Sequence, residues 1–269
     1  MDVNKVLFIS QEITPYVPES PIATIGSDLP QRIQELGYEV RTFMPKYGCI
    51  NERRNQLHEV IRLSGMNIII DDSDHPLIIK VATLLPARMQ VYFIYNDDYF
   101  MHNVTKDIET EISPDDNDER SIFFVRGVME TVKKLRWEPE IIHCNGWISA
   151  LTPLYLKHMY NEDPIYAKSK VVYSLYDDAY PVPFDARLAE KMKMDGISAE
   201  DVACIEGKAV DHTALTKLAI ANSHGVIQQS KNVSQEIIDY VKELGIPFLP
   251  YEEDNSNYAE RDAEFYKSL

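Results

Sequence analysis

Two adjacent acids, Asp177-Asp178, follow a β-branched run, and His143-Cys144 closes another. Paired carboxylates at a strand end are what general acid–base chemistry uses, because one can hold a proton while the other is ionised. An exposed loop carries the same pair, and that plainer reading is preferred. Histidine beside cysteine supplies two metal-ligand types, but neighbours on a strand point to opposite faces. A buried strand histidine, hydrogen-bonded in place, is therefore expected for His143. Asp71-Asp72-Ser73-Asp74-His75 is rich in oxygen donors yet lacks the glycine and distal glutamate of a calcium loop, so it reads as a solvated turn. No metal site is expected. The G-x-G-x-x-G and G-x-x-x-x-G-K-[ST] nucleotide fingerprints are absent, as are H-E-x-x-H, a C-x-x-C pair and a G-x-S-x-G elbow.

The elements that must position these groups alternate along the chain. Lys5 to Ser10 reads as a first strand, followed by a helix from about Gly26 to Leu36 that Gly37 closes. Val40 to Met44 is a strand ended by Pro45. Ile61 to Ile70, Leu77 to Thr83 and Val91 to Tyr95 read as a meander with Asp71–His75 as a turn. A long amphipathic helix runs from Asp118 to Trp137, with Ile122, Val125, Met129, Val132 and Leu135 inward and Asp115 to Glu119 at its start. A short buried strand, Ile141 to Cys144, precedes a helix from Ile148 to Tyr160. Val171 to Tyr176 is a further strand, Leu215 to Ala221 a helix, Gly225 to Gln228 a strand, and Val233 to Leu244 a helix closed by Gly245. Strands alternating with helices predict an α/β fold: a Rossmann-like, doubly wound, mostly parallel sheet. Its ligands bind beyond the carboxyl ends of the strands, which selects the loops after Ser10, Cys144 and Tyr176. One domain over residues 1–250 is expected, with 251–269 a polar, acidic tail in which Ala263, Tyr266 and Leu269 line a terminal helix.

Composition narrows the partners. The 269 residues carry 43 acidic and 27 basic side chains, a net charge of −16. That balance argues against nucleic acid or an anionic membrane as a partner, because phosphate backbones and headgroups require a basic face. Neither a signal-length apolar region nor the ~18 apolar residues of a spanning helix occurs. Cys49, Cys144 and Cys204 are odd in number and far apart, which fits reduced thiols and a cytoplasmic protein. The sequons at Asn103 and Asn232 read as chance matches. The ten glycines fall short of the ~7% usual in globular chains.

The strand-end loops resemble a known family. Lys5-Val6-Leu7-Phe8-Ile9-Ser10-Gln11-Glu12 through Pro15-Tyr16, Gly37-Tyr38-Glu39-Val40-Arg41 and Met44-Pro45-Lys46-Tyr47 are similar to the start of bacterial glycogen synthases and plant starch synthases. Asp116-Asn117-Asp118-Glu119-Arg120, Ile141-Ile142-His143-Cys144-Asn145-Gly146-Trp147 and Ala150-Leu151-Thr152-Pro153-Leu154 continue the match in the same order. The resemblance implies the N-terminal half of a GT-B glycosyltransferase, the half that carries the acceptor glucan. In the family a second domain holds ADP-glucose or UDP-glucose, and transfer proceeds with retention and without a required metal. That C-terminal nucleotide-sugar domain is expected to be absent from this chain.

The departures from the family fall on the working loops. Where the family has K-x-G-G, this chain has Pro18, Glu19, Ser20 and Pro21. Two prolines lack backbone donors, and a carboxylate ~6 Å from a phosphate charge costs about 3 kcal/mol at an effective dielectric of ~20. The family's H-x-H-D-W reads His143-Cys144-Asn145-Gly146-Trp147, and its T-I-H-N reads Ser174-Leu175-Tyr176-Asp177. The resemblance thus leaves no confident catalytic residue. It leaves Glu12, Asn145, Trp147, Tyr176 and Asp177 as candidate cleft positions with aromatic and hydrogen-bonding character. The expectation is a non-catalytic relative with a glucan-binding or regulatory role in glycogen metabolism, needing no cofactor. Its expected partner is an α-glucan or a full-length glycogen synthase; the sequence fixes no oligomeric state. The alternative is an active glucosyltransferase that uses ADP-glucose or UDP-glucose with a separately supplied C-terminal domain.

Overall fold

The computed structural model describes residues 4–101, 116–180, 182–253 and 256–269. The apolar run Lys5–Ser10 forms β1, buried on both faces, as a central strand of a parallel sheet must be. The helix after it, α1 (Pro21–Glu35), starts five residues before the expected Gly26. Ser20 is its N-cap, accepting from the Ala23 amide, and Pro21 takes the first position, where a missing N–H costs nothing. The strand β2 (Glu39–Pro45) follows, then β3 (His58–Glu59), β4 (Met66–Ile70), β5 (Ser73–Leu84) and β6 (Met89–Tyr95).

The strand expected over Ile61–Ile70 exists only as β4, because Gly65 at φ +83 breaks the run. Ile61 is 83% exposed, outside any strand. The acidic turn is shorter than expected: Asp71 and Asp72, both at positive φ, make the hairpin, while Ser73 to His75 already belong to β5. After α2 (Asp97–Phe100), the long helix α3 spans Asn117–Leu135 and ends with Arg136 in the left-handed region. Ile122, Val125, Met129 and Val132 are buried on it as expected. Asp115 and the Asn103 sequon lie outside the described residues.

Beyond β7 (Ile141–Asn145), the single helix expected over Ile148–Tyr160 is a 3₁₀ turn at Trp147–Ser149 followed by α4 (Thr152–His158). Then come β8 (Lys170–Leu175), α5 (Leu188–Met194), α6 (His212–Asn222), β9 (Gly225–Gln228), α7 (Gln235–Leu244), β10 (Phe248–Leu249) and α8 (Tyr258–Ser268). The elements α2, α5, β3 and β10 are additions to the sequence reading; each is too short to show a period.

The strands order as β10-β9-β8-β7-β1-β2-β6-β5-β3, with β4 paired to β5. From β10 to β6 every pairing is parallel, and β5 is antiparallel to β6, β3 and β4. The chain order reverses at β1, whose neighbours are β2 and β7, so the crevice above β1 and β7 is the topological switch point. Side chains alternate between two cores. Val6, Phe8, Ile141 and Val172 face α1 and α8 through Leu29, Ile33, Ala263 and Tyr266. Leu7, Ile9, Ile142 and Cys144 face the larger core that includes residues of α3, α4 and α6. Among the described residues no helix is long and apolar enough to cross a membrane.

Candidate functional site

The parallel ladder continues past the strands: the Gln11 amide donates to the Asn145 carbonyl at 2.9 Å, and the Tyr47 hydroxyl donates to the Gln11 carbonyl at 2.9 Å. The loop after β1 is thereby held against β7, and Glu12 turns beneath the start of α1. Its carboxylate accepts from the Ser20 hydroxyl at 2.6 Å and from Gln11 Nε2 at 3.2 Å. Burial pushes the Glu12 carboxyl above its ordinary range, over the lowering effect of those two bonds, and the Asp178 charge adds to the rise. Ser20 Oγ serves twice, since it also accepts from the Ala23 amide at 3.0 Å. Pro18 and Glu19 are exposed beside it. The helix lies so close that a Cβ on Gly26 would stand 2.2 Å from the Glu12 carbonyl oxygen.

On β7, His143 is fully buried and bonded through both ring nitrogens, to the Tyr266 hydroxyl and to Ser174 Oγ, each at 2.5 Å. Burial drops its pKa to about 3, so it stays neutral and structural. Cys144 points the other way, into the larger core, and burial pushes its thiol up to about 12, which rules out a ready nucleophile. Asn145 is buried, and its Oδ1 accepts from the Tyr176 hydroxyl at 2.9 Å. Gly146 takes φ +86, and a Cβ there would meet Gln11 Cβ at 2.6 Å.

Trp147 is 4% exposed, its ring edge-on to Tyr180 and Phe184 at 5.3 and 5.6 Å. It therefore lies in the packing and offers no open face. Its backbone amide donates to Asp178 Oδ2 at 3.0 Å, and Asp178 Oδ1 contacts His212 Nε2 at 3.0 Å. The Asp177-Asp178 pair is thus divided: Asp177 is exposed, while Asp178 ties the loop after β7 to the first turn of α6.

A cavity of about 140 Å³ opens beyond the carboxyl end of β8, between the N-terminal ends of α6 and α7. Tyr176 and Asp177 line it; Glu12, Asn145 and Trp147 do not, though Asn145 holds Tyr176 and Trp147 holds Asp178 from behind it. The sequence reading missed the other half of the lining, contributed by Thr213, Thr216, Asn232 and Ser234. The signal available for these was capping chemistry: Asp211 accepts from the Ala214 amide and Ser234 from the Ile237 amide, each opening a helix. Among the described residues no lysine or arginine lines the cavity. Lys46, at the end of β2, is held by Glu52 at 3.2 Å with its ammonium 4.8 Å from the Tyr95 ring centroid. Among the described residues no group of three or more metal-ligating side chains is assembled.

The family model for the starch synthase catalytic domain matches residues 5–246. A glycogen synthase of Pelodictyon phaeoclathratiforme is 39% identical over 174 residues, 64% of this chain and 36% of that protein. A glycogen synthase of Chlorobium luteolum is 32% identical over 235 residues, 87% of this chain and 47% of that protein. The chain spans less than half the length of these curated relatives. Among solved structures, the catalytic domain of starch synthase IV from Arabidopsis thaliana, bound to ADP and acarbose, matches with a TM-score of 0.72 at 16% identity. The match covers 95% of this chain and 53% of that one, and at this identity it speaks for the fold.

Proposed function

The chain belongs to the starch synthase catalytic domain family, and from that premise we propose that it acts as a non-catalytic member that binds α-glucan in glycogen metabolism, in the cytoplasm. The observation that carries this reading is that the carboxylates at the switch point are committed to neighbouring side chains and backbone, while Ser10 Oγ, Gln11 Oε1 and Asn145 Nδ2 are buried without a hydrogen bond among the described residues. Glu12 is taken by Ser20 and Gln11, Asn145 by Tyr176, and Asp178 by Trp147 and His212. A catalytic cleft keeps donors aimed at the charge that develops during reaction. Here the loop with Ser20 and Pro21 instead starts a helix, and Glu19 beside it carries the same sign as a diphosphate. The open cavity above β8, lined by both polar and apolar groups, supports binding. The fold that holds ADP and acarbose in the starch synthase IV domain is compatible with a carbohydrate partner. A regulatory contact with a full-length glycogen synthase is the other form this role takes.

The second reading, glucose transfer from ADP-glucose or UDP-glucose to an α-1,4-glucan, is favoured by the family match over residues 5–246. It requires a donor-binding domain supplied with this one. Purified protein given glycogen and either nucleotide sugar is expected to incorporate no more glucose than a Tyr176→Ala control. Turnover clearly above that control overturns the non-catalytic reading. Migration retarded in a glycogen-containing native gel supports glucan binding, and co-purification only with a full-length synthase supports the regulatory form.

A further inference from the structure

The helix α8 joins the molecule without joining the sheet. It pairs with no strand, so it can leave without breaking a ladder hydrogen bond. Ala259, Ala263 and Tyr266 press on the smaller core, formed by α1 and the strands β1, β7 and β8. Gly225 leaves room for the Phe265 ring, which a Cβ there would meet at 2.9 Å. Two phenols anchor the helix: Tyr258 bonds Asp28 on α1, and Tyr266 bonds His143 on β7.

Asp262 stands in the same docking face, 2% exposed, and accepts from Gln229 Nε2 at 2.9 Å. Among the described residues no lysine or arginine forms an ion pair with it. Arg261 turns outward to the Pro250 carbonyl and to Glu252, each at 3.0 Å. Arg32 on α1 is held by Asp28 at 2.6 Å, and Lys267 by Glu264 at 2.7 Å. The other titratable groups nearby are Tyr258 and Tyr266 on α8, Tyr176 after β8 and Tyr38 after α1, with neutral His143 behind Tyr266.

A carboxylate here would be buried without a counter-charge, so docking selects the protonated acid, and burial holds the group well above the usual carboxylate range. Off the sheet, the same group meets water and ionises as an ordinary aspartate. The docked form keeps a proton that the free form gives up, so undocking gains as pH rises. The helix also reaches under the candidate site. The Gln229 amide donates to the Leu175 carbonyl at 3.0 Å, directly before Tyr176, and His143 lies two residues before Asn145.

We propose that α8 is a latch beneath the candidate site, released from the sheet by a local opening that loss of the Asp262 proton drives.

Hydrogen exchange of the full chain, read over residues 258–269 and corrected for the intrinsic rate at each pH, tests it. Protection of α8 is expected to fall about tenfold per pH unit from pH 5 to 7.5, because one proton separates the two forms. It should also lie at least about tenfold below the protection of β7, since a local opening leaves the sheet folded. Asp262→Asn, neutral throughout, should abolish the slope. Tyr258→Phe, which loses the Asp28 bond, should lower protection by a similar factor at each pH and keep the slope. A flat profile in the parent, a slope that survives Asp262→Asn, or α8 exchanging in step with β7 would overturn the latch.

Discussion

Asp262 is 2% exposed on α8, with Gln229 Nε2 donating to it at 2.9 Å. Burial pushes its pKa up to about 8, over the lowering effects of Gln229 and Arg261. In the unfolded chain this acid releases its proton near pH 4, so between about pH 4 and 8 the folded protein holds the extra proton. Stability from this residue is therefore greatest below pH 4 and declines as pH rises to about 8. Asp262→Asn removes the slope: its stability advantage over the parent should grow from pH 5 to pH 8 and reach a few kcal/mol. Urea unfolding at several pH values checks this, and parallel pH profiles for variant and parent would contradict it. At this same scale the sequence was readable where backbone context decides. His143 as a buried, bonded residue follows from its place in an apolar strand. The division of labour between Asp177 and Asp178 does not, because Trp147 N and His212 lie 31 and 34 residues from Asp178 and only the fold brings them to it.

Among the elements, α1 shows what the linear pattern hides. Its apolar positions gave the helix, but its start depends on Ser20 capping and Pro21 leading, and a sequence reading that treats these residues only as lost donors misses the cap. The helix rests on the Glu12 carbonyl through Gly26, where a Cβ would approach to 2.2 Å. Gly26→Ala must push α1 away from the loop after β1, disturbing Ser20 and Glu12 together. The expected cost is about 2–4 kcal/mol despite alanine's better helix propensity. Denaturant unfolding reads it, and a neutral or stabilising result would show that α1 has room to move. The long strands and helices were legible because their periods repeat. The run from Ile61 was not: three isoleucines, Ile68 to Ile70, mark β4, while Ile61 and Leu63 sit in a turn that hydrophobicity alone cannot separate from a strand. The seven-residue α5 escaped for the opposite reason, being anchored by Lys191 to Asp118 and Glu119 at 2.7 and 2.6 Å, a tertiary contact.

For the whole molecule, charge and topology set different limits. A net charge of −16 repels polyanions at long range, whereas a neutral glucan feels no such field. Retardation by glycogen should therefore change less than about twofold between 50 and 500 mM salt, since screening has no charged ligand to act on. A steep salt dependence in native gels would instead point to a charged partner. The ten-stranded sheet has a second consequence, for self-association. Both ends of its strand order, β10 and β3, are two residues long. The other part of β5 is covered by β4, whose Ile69 carbonyl is taken by Arg126 Nη1 at 2.6 Å. Among the described residues the longest free margin is the five-residue β4, which pairs only with β5, so a foreign strand, or a strand of another copy, meets a short ladder. Margins this short disfavour templated aggregation, because a growing strand gains only a few backbone hydrogen bonds at each of them.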